Sequence, residues 1–326
     1  ILVHRKHLMD QWIARLSTFL NIDSNLIGKI GGGVWKPTGI IDIAMIQSLS
    51  KKGVVDDIVA DYGHLIVDEC HHISARSFEI VVRQSKAKYV LGLSATVTRK
   101  DGHHPIIYMN IGPVRYEVKD KDQAAIREFS HQVKFISTGF QIIDLIQNED
   151  HLKIHDLYEL LTIDDERNRL ITGDVAKAVQ DGRSPVVITE RKMHLEILYK
   201  QLLAITENVI LLKGGMGRKQ YRKALDQLKS IKDDEPRIIL ATGRFLGEGF
   251  DDPRLDTLFI TLPVSWKGVL AQYAGRLHRD HHGKSEVIIY DYVDDKIPML
   301  SRMFKRRVAG YKSIGYSEDS ILSNYQ

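Results

Sequence analysis

The sequence contains little cysteine, no long apolar run and no excess of charge of one sign. Cys70 is the single cysteine among 326 residues, which excludes an internal disulfide and fits a reducing compartment such as the cytoplasm. No apolar run approaches the ~18 residues of a membrane span, and the first residues lack the pattern of a signal peptide. The formal net charge of +4 permits a nucleic-acid partner without requiring one.

Strands and helices alternate through most of the chain. Strands such as 65–67 and 186–189 are uninterrupted apolar runs, which is typical of parallel strands buried on both faces. Amphipathic helices separate them, and the first carries Leu8, Trp12 and Leu16 at helical spacing. A chain of 326 residues has room for two domains. We therefore predict an α/β protein with two doubly wound parallel sheets.

One segment interrupts this alternation, and it sets the predicted domain boundaries. Short apolar runs at 114–118 and 133–136 are predicted strands, and 152–161 has helical spacing amid many charges. The predicted division is a first domain at 1–115, an insertion or connector at 116–167 and a second domain at 168–326 that ends in a basic helix. Within the first domain we also predict a flexible turn at 30–33 and a short helix at 52–62.

Acidic and hydroxyl residues follow two of the apolar strands. Asp68 and Glu69 end the run 65–67, and Ser94-Ala95-Thr96 ends the next strand. The carboxyl ends of parallel strands share one edge of a sheet, where α/β proteins place ligands. Two adjacent carboxylates there suit the metal of a bound nucleotide. Taken alone, such acids are equally consistent with a solvated strand end.

The polar strand ends occur in the order of the motifs of superfamily 2 helicases. Asp68-Glu69-Cys70-His71 resembles motif II and Ser94-Ala95-Thr96 resembles motif III. The remaining similar segments are 4–12 with motif Ia, 43–48 with motif Ib, 187–190 with motif IV, 247–251 with motif V and 272–279 with motif VI. Arg99-Lys100-Asp101-Gly102 and the form of motif V are most similar to the XPB-like DNA repair helicases and the related restriction and phage-type DNA translocases. The resemblance covers nearly the whole chain and implies two RecA-like domains.

The resemblance implies ATP and Mg²⁺ as ligands. Asp68 would bind Mg²⁺ partly through water, Glu69 would bind it as well and position and deprotonate the attacking water, and His71 would couple this site to Ser94, Ala95 and Thr96. The second domain would supply groups to the γ-phosphate, with two arginines one helical turn apart as arginine fingers: Gln272, Arg276 and Arg279. Backbone approach to the nucleotide and a ribose contact would come from motif V: Gly247, Gly249 and Asp251.

The resemblance also implies a bound nucleic-acid strand, with DNA preferred over RNA. The implied contacts come from both domains: His4, Arg5, Lys6, Gln47, Ser48, Thr189, Arg191, Lys213 and Gly214. Such contacts to phosphates give salt-dependent, weakly sequence-specific binding. No membrane partner is expected, and fused or associated domains such as a nuclease would lie outside this chain. Trp266 suits stacking on a base and packing equally well.

The cysteine and histidines do not have the spacing of a zinc site. Cys70-His71-His72 are adjacent, and neighbouring residues on a strand point to opposite faces. No C-x-x-C pair is present in the sequence. Cys70 is interpreted as a small buried residue.

One motif of the family is not found. The P-loop, G-x-x-x-x-G-K-[ST], holds the phosphates and magnesium, and no such string occurs in the 326 residues. Because the P-loop precedes motif Ia in the family, we expect a piece of a longer protein, which the absent initial methionine favours, or a natural degenerate. Two functions stay open: the core of an ATP-dependent helicase or translocase, or an ATPase-incompetent nucleic-acid-binding or scaffold module. The chain alone is expected to be inactive as an ATPase.

Overall fold

The structure, a computed structural model, describes most of the chain. Outside the described part lie residues 52, 73–74, 95–104, 119–121, 123, 125, 143–152, 244–249, 251, 265–266 and 317–326, and also the side chains of 51, 72, 75–78, 218, 267 and 268. The chain forms two compact units, Ile1–Glu117 and Val118–Gln326. None of the helices in the described part is both long enough and apolar enough to cross a membrane.

The first unit alternates short strands and helices. Its strands are β1 Leu2–Val3, β2 Ile27–Gly31, β3 Val34–Lys36, β4 Ile41–Met45, β5 Ser50–Lys51, β6 Val54–Val55, β7 His64–Val67 and β8 Tyr89–Gly92. Its helices are α1 Lys6–Leu20, α2 Ile46–Leu49, α3 Ala75–Gln84 and α4 Pro105–Ile111, with 3₁₀ turns at Ser24–Leu26, Asp57–Asp61 and Cys70–His72.

Six of these strands form one sheet in the order β3-β2-β4-β1-β7-β8. The neighbouring pairs β2-β4, β4-β1, β1-β7 and β7-β8 are parallel, whereas β3 is antiparallel to β2. Strand β8 is an edge of this sheet among the described strands. On one side of it Tyr89, Leu91 and the following Leu93 are 60%, 44% and 36% exposed.

The sheet of the first unit is covered on both faces, as a parallel sheet requires. In β1, Leu2 packs into one core cluster and Val3 into another, because successive strand residues point to opposite faces. The same alternation places Ile43 with Val3 and Ala44 with Leu2. The predicted doubly wound arrangement of this unit is confirmed.

Two local predictions in the first unit are wrong. The expected helix at 52–62 is replaced by the antiparallel pair of β5 and β6 and the 3₁₀ turn Asp57–Asp61. Gly53, with φ of 83°, makes the turn between the two strands. Val114 to Val118 lie outside any strand. The expected turn at 30–33 is present, but it joins the paired strands β2 and β3.

The second unit has longer elements. Its strands are β9 Ser130–Ser137, β10 Pro185–Thr189, β11 Val209–Leu212, β12 Ile238–Thr242, β13 Thr257–Ile260 and β14 Glu286–Val293. Its helices are α5 Ile154–Ile163, α6 Asp165–Gln180, α7 Lys192–Leu202, α8 Arg218–Ser230, α9 Lys267–Leu277 and α10 Pro298–Ser313. The Asp164 side chain accepts from the backbone N–H of Arg167 and so caps α6.

All neighbouring strands of the second sheet are parallel, in the order β11-β12-β10-β13-β14-β9. Strand β9 pairs with β14 along its whole length, from Ser130 opposite Glu286 to Ser137 opposite Val293. The segment 116–167, which the sequence predicts as an insertion or connector, therefore contributes an edge strand to this sheet. In β10, Val186 and Ile188 pack in one core cluster and Val187 in the other, so this sheet too is covered on both faces.

Among the described residues of the second unit, three ion pairs have both side chains buried. Arg167 Nε lies 3.0 Å from Asp294 Oδ1, with both side chains 0% exposed. Similar pairs join Arg307 to Asp291 at 2.7 Å and Arg237 to Asp252 at 2.8 Å. Arg307 belongs to the basic helix predicted at the end of the chain, but its side chain is buried and forms part of the core.

Candidate functional site

The acidic pair of the first unit lies at the carboxyl end of β7. The backbone N–H of Asp68 donates to Leu2 O at 3.0 Å, and that of Cys70 donates to Leu93 O at 3.0 Å. The chain leaving β7 therefore stays bonded to both neighbouring strands. This fixes Asp68 and Glu69 at the edge of the sheet where the sequence predicts them.

Glu69 turns the chain with a φ of 49°, a left-handed conformation that side chains other than glycine rarely adopt. The turn gives the two adjacent carboxylates different partners. Asp68 Oδ2 accepts from Trp12 Nε1 at 2.8 Å, and Asp68 Oδ1 accepts from the backbone N–H of Glu69 at 3.0 Å. Glu69 Oε2 lies 3.2 Å from His71 Nδ1.

His71 joins motif II to the strand that carries motif III. Its Nδ1 lies 2.7 Å from Ser94 Oγ as well as beside Glu69, and its side chain is 9% exposed. The sequence predicts coupling to Ser94, Ala95 and Thr96. Ser94 makes this contact, while Ala95 and Thr96 lie outside the described residues.

Cys70 packs in the core of the first unit. It is 4% exposed, and burial, together with the charges of Glu69 and Asp68, raises the pKa of its thiol to about 11. A thiol with that pKa is protonated at neutral pH and is a poor nucleophile or metal ligand. Packing is therefore the role that its surroundings support.

The carboxylates fit a magnesium ion better than a fully protein-bound metal. In the described part of the chain, no group of three or more His, Cys, Asp or Glu residues could hold a metal ion. Mg²⁺ is usually held by one or two carboxylates, with water and phosphate oxygens completing its shell. Asp68 Oδ2 accepts from Trp12 and Asp68 Oδ1 accepts from the backbone N–H of Glu69, and a carboxylate oxygen has a second lone pair that can face such an ion.

The predicted nucleic-acid contacts of the first unit meet at the carboxyl ends of β1 and β4. His4 and Arg5 follow β1, Lys6 begins α1, and Gln47 and Ser48 lie in α2. Gln47 Nε2 donates to His4 O at 3.1 Å, which ties the two segments together.

The turn at 30–33, for which the sequence predicts only flexibility, packs against these residues. A Cβ on Gly31 would lie 2.8 Å from Ser48 Oγ, and one on Gly32 would lie 3.1 Å from Lys6 Cδ. Their φ values of 124° and 64° also favour glycine. The run of three glycines was the sequence signal for this close approach.

The candidates of the second unit line the carboxyl edge of its sheet. Thr189 ends β10 opposite Thr242 of β12, and the backbone N–H of Gly214 donates to Thr242 Oγ1 at 3.3 Å. Lys213 precedes Gly214, and its Nζ lies 3.9 Å from Glu196 Oε1.

The side chains of Thr189 and Arg191 differ in how accessible they are at this edge of the sheet. The Thr189 side chain is 1% exposed and its Oγ1 lies 3.0 Å from His194 Nδ1, so the hydroxyl faces the interior and only the backbone is left for a bound strand. Arg191 is placed further out, with its Nη2 3.0 Å from His155 Nδ1 and its guanidinium above the Tyr158 ring. Burial lowers the pKa of His194 to about 3, so His194 is neutral at pH 7.

Gln272 and Arg276 lie on α9, whereas Arg279 lies beyond the last residue of this helix, Leu277. The expectation that both arginines share one helical face is corrected accordingly. The position of Arg279 is instead fixed by a hydrogen bond to its backbone carbonyl. Lys284 Nζ donates to the carbonyls of Arg279 at 2.7 Å, Leu277 at 3.1 Å and Pro253 at 2.6 Å. One ammonium group thus joins the end of motif VI to the segment after motif V.

A second contact ties motif VI to motif IV. Tyr273 OH donates to Glu190 Oε1 at 2.7 Å, and burial and this carboxylate raise the pKa of Tyr273. Gly243 lies directly beneath them, since a Cβ there would come within 1.8 Å of Tyr273 OH. The predicted nucleotide contacts Gly247, Gly249 and Asp251 lie outside the described residues.

The chain resembles helicases over its whole length. The family described as "Type III restriction enzyme, res subunit" matches residues 1–99. The "Putative ATP-dependent RNA helicase L396" of Acanthamoeba polyphaga mimivirus is 27% identical over 94% of this chain and 57% of its own length. The "Probable helicase D10" of Escherichia phage T5 is 23% identical over 95% of this chain and 65% of its own length. The chain is similar to superfamily 2 helicases.

Solved structures show the same similarity at the level of fold. The chain matches a fragment of "a putative HsdR subunit of a type I restriction enzyme" from Vibrio vulnificus with a TM-score of 0.65 and 19% identity, over 93% of this chain and 55% of the other. It matches S. cerevisiae Dbp5 bound to RNA and ADP BeF3 with a TM-score of 0.62 and 14% identity, over 98% and 75%. The RecA-like fold of both units is thereby confirmed. The chain spans less than two thirds of the length of these two curated relatives.

Proposed function

We propose that the chain is the core of an ATP-dependent nucleic-acid helicase or translocase. The observation that carries this proposal is the contact of His71 with both Glu69 and Ser94, at 3.2 and 2.7 Å. A contact between the acidic strand end and the next strand is what coupling of hydrolysis to motif III needs. The match of residues 1–99 to a restriction-enzyme family and the helicase names of the relatives support the same function.

In this proposal the carboxylates serve phosphoryl transfer. Asp68 and Glu69 would hold Mg²⁺, partly through water, and Glu69 would also orient the attacking water and take its proton. Mg²⁺ supplies charge neutralisation on the phosphates when it is bound. Glu69 Oε2 beside His71 is a carboxylate with a fixed orientation, which is the property a general base requires.

The second unit supplies the other groups. Arg276 and Arg279 stabilise charge on the γ-phosphate, with Gln272 as a further polar contact. The Lys284 ammonium supports this role because it fixes the backbone at Arg279. Gly247, Gly249 and Asp251 contact the nucleotide and its ribose.

Nucleic acid, with DNA preferred to RNA, binds the strand-end candidates of both units. The backbone contributes at Thr189 and Gly214, and side chains contribute at seven positions: His4, Arg5, Lys6, Gln47, Ser48, Arg191 and Lys213. Partly exposed cations at the ends of parallel strands support this proposal, and the Lys213 side chain is 38% exposed. Phosphate contacts of this kind make affinity fall steeply with salt. The cytoplasm is the proposed location.

The experiment measures phosphate release from ATP with and without oligonucleotides. The 326-residue chain and any longer chain its gene encodes are assayed with single-stranded DNA and with RNA of the same sequence. Glu69→Gln should lower stimulated hydrolysis by about 10²–10⁴-fold, as loss of a general base does. Glu79→Gln, on α3 of the same unit, should leave the rate unchanged. Full activity in Glu69→Gln would falsify the assignment.

The second candidate is a non-catalytic nucleic-acid-binding or scaffold module. The absence of a P-loop string from the 326 residues favours it for this chain by itself. It predicts oligonucleotide binding with no hydrolysis in any length of chain. DNA-stimulated hydrolysis in the longer chain excludes it.

A further inference from the structure

A single hydrogen bond connects the first helix to the metal-binding candidate. Trp12 Nε1 on α1 donates to Asp68 Oδ2 at the end of β7 over 2.8 Å. The other oxygen of this carboxylate accepts from the backbone N–H of Glu69 at 3.0 Å. An indole N–H is a donor only, so this bond occupies one lone pair of Asp68 Oδ2. The bond thus orients Asp68 and leaves lone pairs for a cation.

The indole that makes this bond is held by packing. Trp12 packs against the cluster on one face of the sheet that includes Val3, Leu8 and Ile13. A ring with two rotatable bonds that is wedged against a core has little freedom to turn. The donor therefore has a fixed position relative to the sheet.

The same helix begins at the nucleic-acid candidates. Lys6 is the first residue of α1, and the six residues to Trp12 correspond to about 9 Å of helix. The backbone just before the helix is tied to α2, since His4 O accepts from Gln47. One short rigid segment therefore has its start among the strand contacts and a side chain on the candidate cation ligand.

We propose that Trp12 is a positioning residue that fixes the Asp68 carboxylate for a divalent cation and links that cation site to nucleic acid bound at the start of α1. The inference rests on the proposed function, because it takes Asp68 as the cation ligand. Partners that orient a metal ligand typically affect metal affinity by about 10–100-fold. A merely structural hydrogen bond would leave that affinity unchanged.

The first measurement is a titration of the 326-residue chain with MnCl₂. The electron paramagnetic resonance signal of free Mn²⁺ reports how much of the ion is bound. Asp68→Asn identifies the part of the binding that depends on Asp68. Trp12→Phe should weaken that part by about 10–100-fold. Trp35→Phe is the matched control, because Trp35 lies on β3 of the same unit and is 48% exposed. It should bind Mn²⁺ as the parent does.

The second measurement keeps Trp12 in place and so does not depend on the folding of a variant. The three tryptophans give three indole N–H signals in a ¹⁵N spectrum. Mn²⁺ should broaden the Trp12 signal at lower concentration than the Trp35 signal, and Asp68→Asn should shift the Trp12 signal. An oligo-dT strand should change Mn²⁺ affinity in the parent, and this change should be lost in Trp12→Phe.

The outcomes separate this inference from the proposed function. Unchanged Mn²⁺ affinity in a folded Trp12→Phe, with Asp68→Asn still weakening it, overturns the positioning role and leaves the proposed function standing. A Trp12 signal that responds to neither Mn²⁺ nor Asp68→Asn overturns it as well. Retention of the oligo-dT effect in Trp12→Phe overturns the link to nucleic acid. Mn²⁺ binding that ignores Asp68→Asn overturns the metal role of Asp68 itself.

Discussion

Glu69 shows how one backbone angle separates two neighbouring acids. A left-handed conformation costs a residue with a Cβ about 1–2 kcal/mol, and such strain persists where the surroundings enforce it. Here the bonds of Asp68 and Cys70 to adjacent strands enforce it. Asp68 is left facing Trp12 and Glu69 facing His71, so a ligand for metal and a base for water can arise from consecutive residues.

Ser94 is the residue through which motif III can be tested directly. Ser94→Ala removes the hydroxyl 2.7 Å from His71 Nδ1. The loss of about 1–1.5 kcal/mol of hydrogen bonding should lower nucleic-acid-stimulated phosphate release about tenfold. Ser230→Ala, an exposed serine at the end of α8, is the control. Equal stimulation in Ser94→Ala and the parent would remove the coupling role.

Gly243 is required by the Tyr273–Glu190 hydrogen bond. In Gly243→Ala the new Cβ would come within 1.8 Å of Tyr273 OH and 2.0 Å of Glu190 Oε1, so the pair must separate. We expect a loss of about 1–3 kcal/mol of unfolding free energy from overpacking. Gly173→Ala on α6, where a Cβ meets nothing within 4 Å, should stabilise by about 0.5–1 kcal/mol. Urea unfolding measures both, and equal effects would refute the argument.

At the scale of elements, α6 is anchored to the end of β14 by the Arg167–Asp294 pair. Both side chains are 0% exposed, and Thr138 Oγ1 donates to Asp294 at 2.6 Å. Arg167→Ala leaves a buried carboxylate without its cation, which typically costs about 3–5 kcal/mol. Arg169→Ala on the exposed face of α6 should cost under ~1 kcal/mol. Urea midpoints of the two variants provide the test, and matching midpoints would contradict it.

The strands with continuous apolar runs could be predicted, because burial on both faces leaves a clear pattern. Strands 186–189 and 209–212 are found at the expected residues. Strand β2 could not be predicted, because its glycines are residues typical of a loop. A Cβ on Gly28 would overlap Asp42 Oδ1 at 1.7 Å, a contact that only the folded sheet creates.

Part of the candidate site was also predictable. The positions of Asp68, Glu69, His71 and Ser94 follow from strand ends and the family motifs. The Trp12–Asp68 bond joins residues 56 positions apart, and no local pattern encodes it. The end of α9 before Arg279 depends on Lys284 and three carbonyl groups, which the spacing of the arginines cannot reveal.

At the scale of the whole chain, each unit has its own six-stranded sheet and its own core clusters, two in the described part of the first unit and three in that of the second. The histidines whose pKa is lowered by burial are unevenly distributed between the two units. Burial lowers the pKa of His131 to about 4, of His194 to about 3 and of His278 to about 2, and all three belong to the second unit. Acid should therefore affect the second unit through histidine.

The sign of that effect follows from linkage. The three histidines are neutral when folded, and on unfolding their pKa returns to about 6.5. Stability is therefore complete above pH 6.5 and falls as the pH drops below it, by about 1.4 kcal/mol per pH unit for each histidine. His131→Phe should reduce this slope by the contribution of one histidine, about 1.4 kcal/mol per pH unit. His282→Gln, at an exposed position, should leave the slope unchanged. Urea unfolding of the second unit at pH 7.5, 6.0 and 5.0 measures the slope, and a flat profile would contradict the prediction.

One side of β8 pairs with no other strand in the described part of the chain, and this has a practical consequence. An edge strand offers unpaired backbone groups to any other chain, and here one flank is apolar through Tyr89, Leu91 and Leu93. Two copies of the chain can meet by adding strand to strand at this edge. Self-association of the purified 326-residue chain should therefore increase with protein concentration, and a charged residue in place of Leu91 should reduce it.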